Sequence, residues 1–152
     1  MDAITLLKND HQKVRQLLSQ LTEEESADKR QTLLDQIAVE LEAHTAIEEE
    51  IFYPAFRKAG EQHDDEKMYF EAMEEHRAAG DLVLPDLKGT QPDSEKFGGR
   101  AKVLKELIEH HADEEEKEMF PRARKVLGAD QLEELGARME ARKQELLSAL
   151  KH

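Results

Sequence analysis

His11, His44, His76 and His111 follow one another at separations of 33, 32 and 35 residues, and Glu48 and Glu115 each stand four residues after a His. Imidazole nitrogen and carboxylate oxygen form a mixed donor set that suits iron, with manganese and zinc as alternatives. The chain has no Cys, which excludes disulfides, thiolate-bound zinc and thiol catalysis. Two residues four apart on a helix share a face, about 6 Å apart along the axis. Each His-x-x-x-Glu pair therefore presents two donors in one direction.

The pairs sit in an internal repeat. His44-Thr-Ala-Ile-Glu48-Glu-Glu-Ile-Phe-Tyr-Pro54 aligns with His111-Ala-Asp-Glu-Glu115-Glu-Lys-Glu-Met-Phe-Pro121, and an aromatic residue precedes each Pro. Upstream, Asp10-His11 aligns with Glu75-His76. The chain thus reads as two helical hairpins, each contributing a His and then a His-x-x-x-Glu.

Apolar spacing and punctuation predict the elements that carry them. A first helix is expected over about 3–21 with Asp2 as N-cap, a second over 29–59 with Asp28 as N-cap and Gly60 as stop, and a third over 65–87. A fourth starts between Ser94 and Arg100 and ends at Gly128, and a last helix begins at Asp130. Pro54 and Pro121 should kink or stop helices two and four, because each lacks a backbone donor. The fold class is all-α: an up-down-up-down four-helix bundle over 1–127, with residues 128–152 as a further helix packed on it.

All six donors fall on apolar stripes. His11 lies in the series 4, 7, 11, 14, 18, 21, and His44 and Glu48 in 34, 37, 41, 44, 48, 51, 55. His76 lies in 69, 73, 76, 80, 83, 87, and His111 and Glu115 in 104, 108, 111, 115, 119. Near-equal His separations bring four antiparallel helices back to one level. Two buried carboxylates and four imidazoles in one layer would be costly without cations. Two divalent metals resolve this: the carboxylates bridge, and two His complete each ion. Positions remain for solvent, an oxo or hydroxo bridge and a small ligand. His63, His110 and His152 read as bystanders, and the flanking acidic runs as solvated surface.

These residues resemble the hemerythrin-like (HHE cation-binding) family over about residues 6–122. The resemblance implies a non-haem di-iron centre and chemistry with dioxygen, peroxide or nitric oxide, or a role in iron or redox sensing. Ferritin-like di-iron proteins use Glu-x-x-His instead; here Leu41, Met73 and Ile108 occupy the Glu places before His44, His76 and His111. Oxygen-carrying hemerythrins resemble this chain but have a further His one turn before the third-helix His, where this chain has Ala72. Two equally coordinated irons, both open to exogenous ligand, would suit peroxide or oxygen redox chemistry better than reversible carriage. Tyr69, two turns before His76, reads as a core aromatic.

The net charge of −13 repels nucleic acid and anionic lipid. No 18-residue apolar run is present to span a membrane, and the first residues lack a secretory pattern; the expected compartment is the cytoplasm. The expected partners are a small diatomic or peroxide ligand and a redox partner. Peroxide decomposition is the concrete enzymatic expectation, although no acid–base residue stands out. The alternatives are a non-enzymatic iron or redox sensor or iron-binding module, and a structural bundle with a degenerate or zinc-filled site.

Overall fold

The computed structural model describes residues 1–150, and among them helices form the regular structure and no strand occurs. The first rod is α1 (Ala3–Glu23), opened by Asp2, whose side chain accepts the Thr5 N–H at 2.7 Å. The second joins α2 (Ala27–Ile47), a π-helical turn π1 (Glu48–Phe52) and α3 (Tyr53–Ala59). The third joins α4 (His63–His76), π2 (Arg77–Val83) and α5 (Leu84–Lys88). The fourth joins α6 (Glu95–Glu114), π3 (Glu115–Met119) and the start of α7 (Phe120–Leu150). Ser26, not Asp28, occupies the N-cap position of α2 without a side-chain capping bond, and Asp28 lies in the first turn. Ser94 caps α6 by accepting the Phe97 N–H, which places Gly98 and Gly99 inside the helix.

The prolines act differently from the expected kink or stop. Pro54, Pro85 and Pro121 each stand second in an α segment that follows a π turn. Proline offers no N–H and its ring clashes with the carbonyl four residues back. Widening the preceding turn relieves both. Tyr53 N–H accordingly reaches Glu48 O, Leu84 N–H reaches Ala79 O, and Phe120 N–H reaches Glu115 O, each five residues back. The rods continue, and the wide turns begin at Glu48, just after His76, and at Glu115. π turns of this kind recur at functional sites.

At Gly128 the backbone turns with φ +76° and ψ 166°, a conformation that glycine adopts without strain. The remainder of α7 then returns along α1. A Cβ at Gly136 would collide with the backbone of Met1 and Asp2, so the approach requires glycine there. Lys151 and His152, the end of the expected last helix, lie outside the described residues. Two apolar clusters fill the bundle. One holds Ile4, Leu7, Phe52, Tyr53, Phe56 and Phe120, and the other Val14, Leu18, Ile37, Leu41, Phe97 and Leu104. Each large side chain buried in them contributes roughly 1.5–3 kcal/mol. Between the two clusters lies a layer of buried polar side chains.

Candidate metal centre

His11 comes from α1, His44 from α2, His76 from the last residue of α4 and His111 from α6, while Glu48 and Glu115 open π1 and π3. All six are buried, Glu48 completely and Glu115 at 2% exposure. The structure brings them all together. His44 Nε2 and His76 Nε2 both stand 3.0 Å from Glu48 Oε1. His111 Nε2 stands 3.0 Å, and His11 Nε2 3.3 Å, from Glu115 Oε1. Donor atoms of His11, His44, Glu48 and Glu115 lie within 4.8 Å of one another, as do those of Glu48, His76 and His111. Two donor sets that could each hold an ion result, with Glu48 common to both.

Outside this ring, every His rests on a carboxylate through Nδ1. His44 Nδ1 contacts Asp10 Oδ2 at 2.9 Å, and His111 Nδ1 contacts Glu75 Oε1 at 2.7 Å. His76 Nδ1 contacts Glu49 Oε2, and His11 Nδ1 contacts Glu116 Oε2, both at 3.0 Å. A carboxylate behind Nδ1 holds the proton there, orients the ring and leaves the Nε2 lone pair facing inward. The pairs follow the repeat: Asp10 with His44 mirrors Glu75 with His111, and Glu49 with His76 mirrors Glu116 with His11.

Glu49 and Glu116 therefore do not belong to a solvated run, as expected from sequence, but support ligands of the opposite hairpin. The signal lay in the alignment: each of the four carboxylates is the sequence neighbour of a donor. Tyr53 was also missed. Its hydroxyl donates to Glu115 Oε2 at 3.0 Å and lies 3.1 Å from His76 Nε2 and 3.2 Å from His111 Nε2. Its repeat mate is Phe120, whose ring stacks on His11 with centroids 5.8 Å apart. The one aromatic pair in the repeat that differs by a hydroxyl was the available clue. The surroundings of the two donor sets differ, since only the His76/His111 side has a phenol oxygen. Tyr69 packs edge-on to Tyr53 and lies under the Arg57 guanidinium, away from the donors. His110 is 63% exposed and faces Glu75 and Glu114.

A cation fits this donor set on an observation of its own. His11 Nε2, His44 Nε2, Glu48 Oε2 and Glu115 Oε1 are buried and, although they stand close to neighbouring donors, none makes a contact with hydrogen-bond geometry. Buried polar atoms are ordinarily satisfied, and four orphans in one layer mark the place of a missing partner. His76 Nε2 and His111 Nε2 stand 3.1 Å apart, a spacing that two inward lone pairs hold only around a proton or an ion. In the metal-free protein, protons take that role. Burial disfavours the His44 imidazolium, yet Glu48 and Asp10 outweigh it and push the group up to about 10. His111 is raised well above its usual range and His76 is raised, because facing carboxylates overcome burial. Burial opposes the Glu48 carboxylate too, but His44 and its hydrogen-bonding neighbours hold it well below the usual range. Burial and the two carboxylates push the Tyr53 phenol well above 10. Metal binding must then displace protons.

The hemerythrin HHE cation binding domain family pattern matches residues 2–123. The chain is 32% identical over 148 residues to the uncharacterized protein Rv2633c of Mycobacterium tuberculosis, covering 96% of this chain and 88% of that one. It is 28% identical over 150 residues to a DNA nickase of Nostoc sp., where the match covers 99% of this chain but 41% of the relative, so the chain spans less than half of that protein. The crystal structure of a hemerythrin HHE cation binding domain-containing protein from Mycobacterium kansasii, an Rv2633c homolog, superposes with a TM-score of 0.85 at 30% identity. That superposition covers 98% of this chain and 89% of the other.

Proposed function

Because this chain belongs to the hemerythrin HHE cation-binding domain family, we propose that its polar layer is a non-haem di-iron centre that binds or reacts with dioxygen, peroxide or nitric oxide. The observation that carries the reading is the set of four orphaned buried donor atoms between two apolar clusters. Iron suits the mixed imidazole and carboxylate set, and manganese and zinc are the alternatives it also accepts. When bound, two irons supply redox change and Lewis acidity toward a small ligand.

The chain's own residues do the rest. Glu48 and Glu115 lie between the two positions and would hold both ions. His11 and His44 would complete one set, and His76 and His111, with the Tyr53 oxygen beside them, would complete the other. Ala72 leaves the second set without the nitrogen that a His at that place would bring, and Tyr53 stands 3.1 Å from His76 on that side. Phe120 supplies no oxygen to the first set, so an ion held there would lack the phenol neighbour that the other would have. The apolar clusters exclude bulk water, which strengthens each electrostatic contact within the layer. Asp10, Glu49, Glu75 and Glu116 hold the Nδ1 protons and so keep the rings neutral toward an ion. No described helix is long and apolar enough to cross a membrane, and we assign the protein to the cytoplasm with a separate redox partner.

Peroxide decomposition is the activity to test first. Iron-loaded protein should decompose peroxide, and the His44→Ala variant, loaded under the same conditions, should not. Equal rates in both would remove the enzymatic reading. A sensor reading draws support from Lys143, whose ammonium bonds Asp10 behind His44 and thus ties the last helix to the layer. Unchanged hydrogen exchange of that helix between metal-free and loaded protein would remove it.

A further inference from the structure

Beyond the His layer, on the side opposite Tyr53, lies a small cavity of about 30 Å³ for the centres of water-sized molecules. One such molecule needs roughly 10–15 Å³ by this measure, so the space suits a diatomic or peroxide-sized guest. Its far wall is Val14, Leu41, Ala79 and Ile108, one residue from each rod and each three positions from that rod's His. The near wall is the four imidazoles, with the Asp10 and Glu75 carboxylates beside them. A groove on the surface between the second and third rods shares Leu41, Thr45, His76 and Gly80 with this cavity. Gly80 sits in π2, and a Cβ there would meet nothing within 4 Å. The gap where its side chain would stand is open space at the junction of groove and cavity.

We propose that small uncharged ligands enter the His layer between rods two and three past Gly80, and that the missing side chain at Gly80 sets which ligands pass. The proposal rests on the di-iron reading for its purpose but on the cavity alone for its geometry. Moving an ion across an apolar wall without a partner costs several kcal/mol, so charged ligands are excluded by the lining. At the rim, Glu49, Glu74 and Asp81 add repulsion toward anions, only part of it offset by Arg77 and Lys88. The favoured class is thus neutral and no larger than peroxide.

Gly80→Leu fills the gap, and leucine is a better helix former than glycine, so the variant should fold. Two measurements decide the matter. Xenon-pressurised crystals of the purified protein should show one xenon in the wild-type cavity and none in Gly80→Leu. In reduced, iron-loaded protein, nitric oxide association followed by stopped flow should slow about tenfold or more in the variant, equivalent to a barrier increase of about 1.4 kcal/mol, with Gly80→Ala between the two. Iron content should be equal in all three. An empty wild-type cavity under xenon overturns the proposal, as does an unchanged nitric oxide rate in a variant that excludes xenon. If the wild-type protein holds no iron, the di-iron reading fails while the xenon result still decides the route.

Discussion

The hairpin of residues 1–59 and the hairpin of residues 63–127 deliver the same donors to the same layer, yet they surround them differently. Asp10, behind His44, is backed by the Lys143 ammonium from the last helix. Its repeat mate Glu75, behind His111, faces exposed His110 and the carboxylate of Glu114. Burial together with Glu75 and Glu71 pushes the Glu114 carboxyl up to about 7. Tyr53 places an oxygen beside His76 and His111, whereas Phe120 stacks on His11 with a bare ring. A duplicated motif has kept its ligands and altered their supports. The comparison teaches that donor sets related by a repeat come to differ through the residues next to them.

The largest effect should come from the shared carboxylates. Glu48→Ala should lose both ions, because Glu48 belongs to both donor sets, whereas His44→Ala and His111→Ala should each lose one. Metal content per chain reads this directly; retention of two ions in Glu48→Ala would break the shared role. Next come the outer carboxylates. Asp10→Asn and Glu75→Gln should each weaken metal binding by about 10–100-fold, the first at the His11/His44 position and the second at the other. Equal losses at both positions in either variant would erase the distinction between the hairpins.

Tyr53→Phe should alter the optical spectrum of the oxidised iron protein and destabilise the metal-free form by about 1–3 kcal/mol, since Glu115 Oε2 loses a buried donor. Phe120→Tyr tests the comparison from the other side: an oxygen beside His11 should make the two positions more alike. An unchanged spectrum in Tyr53→Phe would remove the phenol from the site.

The dependence on pH has a definite sign. His44, His76 and His111 are raised above 6.5 in the metal-free fold. Their contribution to stability is complete below about 6.5 and is lost as pH rises through the folded values, about 10 for His44. Glu48 is lowered, so its contribution is present above 4.5 and lost as pH falls through the folded value. Thermal unfolding of the metal-free protein should therefore occur at lower temperature at pH 9 than at pH 6, while metal affinity rises over the same interval as protons are displaced. A metal-free melting temperature that rises with pH would contradict the charged-imidazole picture. The smallest effect belongs to Lys143→Met, a few-fold loss at the His11/His44 position, on the scale of about 1 kcal/mol or less for a partly exposed ion pair. Lys143→Arg should restore it.

Much of this was legible in the sequence because of periodicity. The six donors interrupt apolar stripes at matched heights, and that pattern alone implies a polar layer in a bundle. Gly128 and Ser94 marked real boundaries because positive φ and side-chain capping are local effects. What escaped depends on contacts between hairpins. Glu49 and Glu116 lie in acidic runs, where one-dimensional reading assigns them to solvent, and only packing shows that each reaches an imidazole of the other hairpin. Tyr53 stands in the sequence only as the aromatic before Pro54, and the turn of π1 is what directs its hydroxyl into the layer. Prolines suggest breaks, and the wide turns that accommodate them become visible only when the register of the carbonyls is known.

The most direct test is anomalous scattering at the iron edge from crystals of the iron-loaded protein. Two peaks are predicted between Glu48 and Glu115, one flanked by His11 and His44, and the other by His76, His111 and the Tyr53 oxygen. A single peak, or two peaks neither of which lies within bonding distance of Tyr53, would contradict an unequal two-ion centre.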